Sequence, residues 1–381
     1  MHALGLHRFL LRTALACASI FAWIFIFQYF YLVEPDLAHA FARTALLYAL
    51  SQTITCLLTP YAAQALRKGA RRAMLIAVLF LGSAFVILGG ALVRFWGSEG
   101  AAWGITVFAI LLGLYRAFYW IPYTIEISAV SRTRITIWGE ILIALLPAVA
   151  GLLVAGIASG PLLVIFIGAV GIALSAIPLL YLRNVHERFS WGFRETFTQF
   201  SEERNRALVV GGVLEGISGA ALLLFWPLTM FLMMGWSYSM LGITLSLTFL
   251  VAVFGRSFVR KKLRSRGLHN SALLNTLFSI TPWLFRLTVG TPLQAVLVDS
   301  YFYTTVPRRS GVDPFVFEQS ADGGSYVDEY TALKEMSLAI GRIVTCILGA
   351  SIVLLVSIPV AFIVVFVIAA LASAMATLEL S

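Results

Sequence analysis

The sequence predicts an all-α polytopic membrane protein with about twelve transmembrane helices. Three observations carry that expectation. The chain contains about twelve apolar stretches, each near the roughly 20 residues that a helix needs to cross a bilayer. Only 12% of its 381 residues are charged and 60% are hydrophobic, about half the charged share of a soluble domain. Every second junction between the stretches is basic, and the junctions between those are nearly free of Lys and Arg.

The stretches fall near 12–33, 42–65, 71–94, 101–124, 135–158, 161–182, 207–233, 238–257, 270–287, 290–306, 328–354 and 358–378. All read as helices, because an open sheet leaves backbone groups unsatisfied in lipid. The first follows His7, Arg8 and Arg12 and precedes Ala38-His39-Ala40, the outline of a signal peptide. The run from Thr13 to Val33 exceeds the 7–15 residues of a signal h-region, so an uncleaved first span is expected. The junction at 183–206 is amphipathic, with Trp191, Phe193, Phe197 and Phe200 among charged residues. It divides the chain into halves of about six spans (1–190 and 191–381), and its pattern predicts a helix on the membrane surface. The junction from Pro307 to Val327 holds Gly311, Pro314, Gly323 and Gly324, a composition that predicts an irregular loop.

Charge sets the expected orientation. The basic junctions collect around Arg8 and Arg12, Arg67 to Arg72, Arg132 and Arg134, Arg183 to Arg206, Arg256 to Arg266, and Arg308 and Arg309; the other side has Arg43 and Arg94. Positive charge favours the cytoplasm, so both termini are expected there and the chain in the cytoplasmic (inner) membrane. The net charge of +9 is thereby assigned to helix ends and anionic lipid, not to nucleic acid. Cys17, Cys56 and Cys346 fall inside spans and read as packing residues.

Ionisable residues at membrane depth are the candidate functional groups, since each must find a partner or a wet cavity. Arg116 lies mid-span, and Tyr119 and Tyr123 follow on the same helical face. Two readings stay open: a cavity wall offering a cation to an anionic or polar substrate, or a structural pair with Glu140 on the next span. Gln52 is a further cavity candidate, as are Gln28 and Asn275, and Trp226-Pro227 is a candidate closure of the outer mouth. Asp299 and Arg342 are expected to pair across spans ten and eleven, with Glu335 on the face of Arg342 and Lys334 snorkelling. Glu126 reads as a solvated helix-end charge. Glu215 sits among Gly211, Gly212, Gly216 and Gly219 and has no obvious basic partner. A buried carboxyl of that kind suits proton coupling; a neutral, hydrogen-bonded Glu is the structural reading. The five histidines lie in terminal or loop segments with no spaced acid or metal cluster. No phosphate loop or metal motif points to an enzyme, a cofactor or a metal site.

The six-plus-six layout and the turn after span two carry a family resemblance. That turn reads Ala62-Ala63-Gln64-Ala65-Leu66-Arg67-Lys68-Gly69-Ala70-Arg71-Arg72. It is similar to the signature turn of the major facilitator superfamily in its basic residues and Gly69. It departs from the signature at Leu66, which replaces an acid, and at Ala62, which replaces a glycine. The resemblance implies two six-helix bundles around a central cavity, alternating access by rocking, and a monomer; in the family the missing acid helps to latch the cytoplasmic gate. The stretches Phe118-Tyr119-Trp120-Ile121-Pro122-Tyr123 and Glu329-Tyr330 to Gly341-Arg342 resemble an uncharacterised bacterial branch of the superfamily. The expected function is a secondary active or facilitative transporter of a small solute, with protons as a candidate coupling ion and membrane lipid as its solvent. Glu140, Glu215, Asp299, Glu335 and Arg342 are the gating or coupling candidates. Two alternatives remain: a non-transporting, transporter-like sensor or assembly partner, and a lipid translocator.

Overall fold

The computed structural model describes residues 3–93, 95, 97–129, 136–186, 189–265, 272–306 and 327–379, and every regular element among them is helical. The main helices are α1 (Ala3–Val33), α2 (Leu37–Gln64), α3 (Ala70–Leu92), α4 (Gly97–Ala129), α5 (Ile137–Gly156), α6 (Gly160–Leu179) and the short α7 (Phe193–Ser201). They continue as α8 (Arg206–Ala220), α9 (Trp226–Met233), α10 (Tyr238–Ser265), α11 (Ala272–Arg286), α12 (Pro292–Thr305), α13 (Val327–Leu355) and α14 (Ile358–Glu379). A π-helical turn, Ala221–Phe225, joins α8 to α9. Among the described residues, ten helical segments are long and apolar enough to cross a membrane, with α8 and α9 counted as one. The stretches expected at 270–287 and 290–306 form α11 and α12, whose 15 and 14 residues rise only about 21–23 Å. The expected loop from Pro307, and Arg94, Arg132, Arg134, Arg188, Arg266, Arg308 and Arg309 of the charge pattern, lie outside the described residues.

Helix starts follow from local chemistry. The Asp36 carboxylate caps α2, accepting from the backbone N–H of Ala38 at 2.7 Å and of His39 at 3.2 Å. Thr291 caps α12 with Gln294 returning the bond, as a capping box. Within the helices, hydroxyls fold back onto carbonyls one turn earlier: Thr44 donates to Ala40 at 2.8 Å and Thr59 to Thr55 at 2.7 Å. Polar side chains on membrane helices are satisfied in this way without water.

α1 begins nine residues earlier than the apolar pattern indicates, and its first turns are buried. His7, Arg8 and Arg12, read from sequence as a terminal junction, are 0%, 7% and 7% exposed. The reason is tertiary: α1 packs along α6, where the Ser175 carbonyl receives His7 Nδ1 at 2.7 Å. The linker helix α7 also differs from its expectation. Its Phe197 and Phe200 pack on Cys56 of α2 and on Met336, Ala339 and Ile340 of α13. Its apolar face therefore lies on protein.

The first and second halves of the chain meet along two seams, α2 with α13 and α5 with α10. The second seam needs glycine. A Cβ on Gly151 would stand 2.3 Å from the Tyr238 carbonyl oxygen, and one on Gly242 would stand 2.2 Å from that of Pro147. α8 and α13 approach equally closely at Gly216 and Gly341. Small residues let helices come into backbone contact where lipid supplies no hydrophobic drive.

At the basic end, the segment after α6 is strapped to the first half. Ala70 N–H donates to Val185 at 2.7 Å, and Arg71 Nη1 donates to the carbonyls of Leu180 and Leu182 at 3.3 and 3.2 Å. The strap then reaches the second half, where Ser190 N–H and Oγ donate to Glu329 Oε1 at 3.1 and 2.5 Å. Leu66, standing where the resemblance has an acid, is fully buried with Ala63, Ile121, Ile125, Phe189 and Ala332. Apolar contact thus occupies this position. Glu126, expected to be solvated, is 4% exposed and takes a hydrogen bond from the Val185 backbone. At the opposite end Trp236 meets Phe27 and Tyr31 at ring distances of 5.6 and 4.9 Å, and Phe41 meets Phe225 and Phe362 at 5.3 and 5.2 Å.

The glycine seam makes a stability prediction. Gly151→Ala and Gly242→Ala should each destabilise the detergent-solubilised protein by about 1–3 kcal/mol, while Gly156→Ala, with open space around its Cβ position, should leave the melting temperature unchanged. Thermal unfolding checks this; equal melting for all three variants would sink the seam argument.

Candidate functional site

Ionisable residues gather in three places. The first lies where α2 and α4 of the first half meet α13 of the second. Arg342 Nη1 donates to Gln52 Oε1 at 3.1 Å, a bond between the halves, and Gln52 Nε2 donates to Ser51 Oγ at 3.0 Å. Arg342 and Gln52 are 6% and 0% exposed. The Arg116 guanidinium carbon stands 5.4 Å from the centre of the Tyr48 ring, a cation–π contact that gains strength when shielded from water. Glu335, 5% exposed, lies within electrostatic range of both Tyr115 and Arg342.

One face of α4 forms an aromatic ladder beside these charges. Tyr115 and Tyr119 rings are 5.1 Å apart, and Tyr119 and Tyr123 stack at 5.4 Å with 16° between planes. His7 Nε2 lies 2.9 Å from the Tyr119 hydroxyl. Since the Ser175 carbonyl can only accept, Nδ1 carries the proton, and in the neutral ring Nε2 accepts from Tyr119. The structure therefore brings together Gln52, Arg116, Tyr119, Tyr123, Glu335 and Arg342 from the sequence candidates. It adds Tyr48, Tyr115 and His7, which sequence reasoning did not select. Tyr115, Tyr119 and Tyr123 recur every four residues, a signal that could have found the first of them. His7 was set aside with the loop histidines and carries no such signal.

Glu140 does not join Arg116. α5 packs against α10, α1 and α6, and among the described residues no ion pair links the two. Glu140 sits instead in the first turn of α5, where the helix dipole favours a carboxylate.

The second place is in the second half, between α9, α11 and α12. Asp299 does not pair with Arg342. Its Oδ1 accepts from Arg286 Nε at 3.1 Å and Nη2 at 2.8 Å, and its Oδ2 accepts from Trp226 Nε1 at 2.7 Å. The pair is buried, with side chains 0% and 2% exposed. The Arg286 guanidinium is also boxed by Trp283 at 4.3 Å, Phe302 at 4.7 Å and Trp226 at 5.3 Å. Trp226 thus holds an ion pair inside this half. Gln28, by contrast, does bridge the halves, accepting from the Tyr238 hydroxyl.

The third place surrounds Glu215, which is 6% exposed. The expectation that it lacks a basic partner is corrected by Lys334, whose Nζ lies 3.9 Å from Glu215 Oε2. Glu215 borders a cavity of about 20 Å³ together with Ser218, Ser279, Phe302, Val306, Ser373 and Ala376, room for one water. A hydrogen-bonded chain runs behind it, from Trp283 Nε1 to Ser373 at 3.0 Å and between Ser373 and Ser218 at 2.8 Å.

No protein-family model matches the chain, and no curated protein matches it in sequence. Solved structures do match over nearly the full length. One is a bacterial homologue of the iron transporter ferroportin in an outward-facing state, at 15% identity and TM-score 0.63, covering 99% of this chain and 97% of that one. Another is a POT family transporter in complex with 5-aminolevulinic acid, at 11% identity and TM-score 0.63, covering 98% and 94%. A third is the human organic anion transporter MFSD10, at 11% identity and TM-score 0.60, covering 100% and 98%. What the chain shares with them is the fold.

The Arg286–Asp299 pair yields a prediction. Arg286→Met leaves a buried carboxylate without its cation and should cost about 3–5 kcal/mol. Arg286→Met combined with Asp299→Leu should recover most of that loss, short of the bond to Trp226. Melting curves of single and double variants measure the difference; equal losses would show that the ion pair is not the source.

Proposed function

We propose that this chain is a secondary active or facilitative transporter that moves a small solute across the cytoplasmic membrane by alternating access. The observation that carries the reading is the buried polar cluster between the halves, where Gln52 and Arg116 of one half face Arg342 and Glu335 of the other. Such groups are costly at membrane depth unless they pair or bind something, and here they sit where two rocking bodies would part. The shared transporter fold supports the same reading. In this proposal the twelve membrane helices form two six-helix halves, 1–190 and 191–381. Both termini face the cytoplasm, the chain works as a monomer, and it falls in the bacterial branch that its Phe118–Tyr123 and Glu329–Arg342 stretches resemble. Gln52, Arg116, Tyr119 and Tyr123 line the substrate site; Glu140, Glu335 and Arg342 act as gate elements.

Both seams between the halves are packed, α5 to α10 at backbone contact, which favours a solute path over a lateral path for lipid. The polar cluster favours transport over a purely scaffolding role, since a scaffold has no use for charges buried at its own midplane.

Coupling in this reading is to protons, through Glu215 or Asp299. Glu215 is the better placed, because its ion partner Lys334 is only partly buried, at 28% side-chain exposure, and its cavity has room for one water. Asp299 is locked by three hydrogen bonds. In proteoliposomes, Glu215→Gln should abolish accumulation driven by a pH gradient while exchange continues at the wild-type rate. Accumulation that persists in the variant would remove the coupling role.

A further inference from the structure

The cluster between the halves holds buried hydrogen-bond donors that no protein group satisfies. Among the described residues, Arg116 Nη1 and the hydroxyls of Tyr48 and Tyr115 are buried without a hydrogen-bond partner. Tyr48 and Tyr115 are 1% and 3% exposed. Buried polar groups in native structures are nearly always satisfied, and an unmet donor costs about 1–3 kcal/mol. Three in one neighbourhood define a site that lacks an acceptor. Arg116 lies over the Tyr48 ring and directly follows Tyr115 on α4.

The charge balance points the same way. Arg342 lies within electrostatic range of Arg116 and of Glu335, and so does Tyr115. Glu126 is some 15 Å further along α4, at 1.5 Å per residue, and its carboxylate takes the Val185 N–H. Arg116 is the cation of this group whose Nη1 meets no acceptor among the described residues, and a buried charge-bearing donor left unmet is costly.

We infer that the ligand of this site is a small organic monocarboxylate, its oxygens accepting from Arg116 Nη1 and from the Tyr48 and Tyr115 hydroxyls. A carboxylate is acceptor-only and offers about four lone-pair sites, which suits three donors of which one belongs to a cation. A neutral solute leaves the Arg116 charge unanswered, and an amine is repelled by it. The ladder of Tyr115, Tyr119 and Tyr123 supplies a flat aromatic wall for the ligand's carbon body. This assignment rests on the transport reading and names its substrate class.

The test is binding and counterflow with the full chain at pH 7. The probes are monocarboxylates from acetate to benzoate, their primary amides, amines of matching size, and chloride and phosphate. At least one carboxylate should raise the melting temperature and exchange across proteoliposomes, while its amide does neither. Its Kd should rise about ten- to hundredfold in Arg116→Gln and in Tyr115→Phe, the range for a lost bond to a charged group. Tyr115→Phe keeps the ring and the packing, so it stays informative if Arg116→Gln misfolds. Binding of amides or amines without carboxylates, equal protection by chloride or phosphate, or an unchanged Kd in Tyr115→Phe would overturn the assignment and leave the transport reading standing. A chain that binds and exchanges no probe of any charge overturns both.

Discussion

The high cost of an isolated charge in hydrocarbon is the constraint on which the rest of this structure depends. Each ionisable side chain at depth has met it differently. Asp299 and Arg286 meet it by direct pairing, reinforced by an indole N–H and an aromatic box. Glu215 meets it with a looser partner, Lys334, and a polar cavity. Arg342 reaches across to an amide on the other half, and Arg116 rests on a ring. These solutions differ in kind: a bidentate ion pair lies wholly within the second half, while the bond of Arg342 to Gln52 crosses between the halves.

The same constraint explains the packing. With lipid outside, helices gain little by burying apolar surface against one another and associate instead through close contact. Gly151 with Gly242, and Gly216 with Gly341, bring backbones together, and the aromatic contacts around Trp236 and Phe41 cover the end away from the basic junctions. Trp236 itself adopts a left-handed backbone conformation at φ 66° just after Gly235. For a bulky residue that is uncommon, and its ring contacts with Phe27, Tyr31 and Phe231 hold it there.

Much of the fold was legible in the sequence, because hydropathy is a local property of the chain. The long apolar helices, the amphipathic character of the junction 183–206 and the shared face of Arg116, Tyr119 and Tyr123 on α4 all follow from spacing along one helix. Partnerships were not legible. Arg116 and Glu140 lie on consecutive helices, yet α5 packs on α10, α1 and α6, so adjacency in sequence misled. Asp299 found Arg286 across the turn between α11 and α12, a closer partner than Arg342. His7, Arg8 and Arg12 were misjudged because helix α1 starts before its apolar run, and its first turns pack on α6 and α4. Leu66, noted as a departure from the family turn, proved to be a member of an apolar cluster whose other members are scattered over five segments of the chain.

The strap at the basic end has a mechanical consequence. It is fastened to the first half as far as Val185 and to the second half from Ser190. The leash between those two knots is five residue steps long, at most roughly 17 Å when taut. In the proposed alternating-access cycle, that contour length caps how far the two halves swing apart at this end while both knots stay tied. A wider gape would first undo Ser190 from Glu329 or Val185 from Ala70, so the segment that joins the halves would also measure their opening.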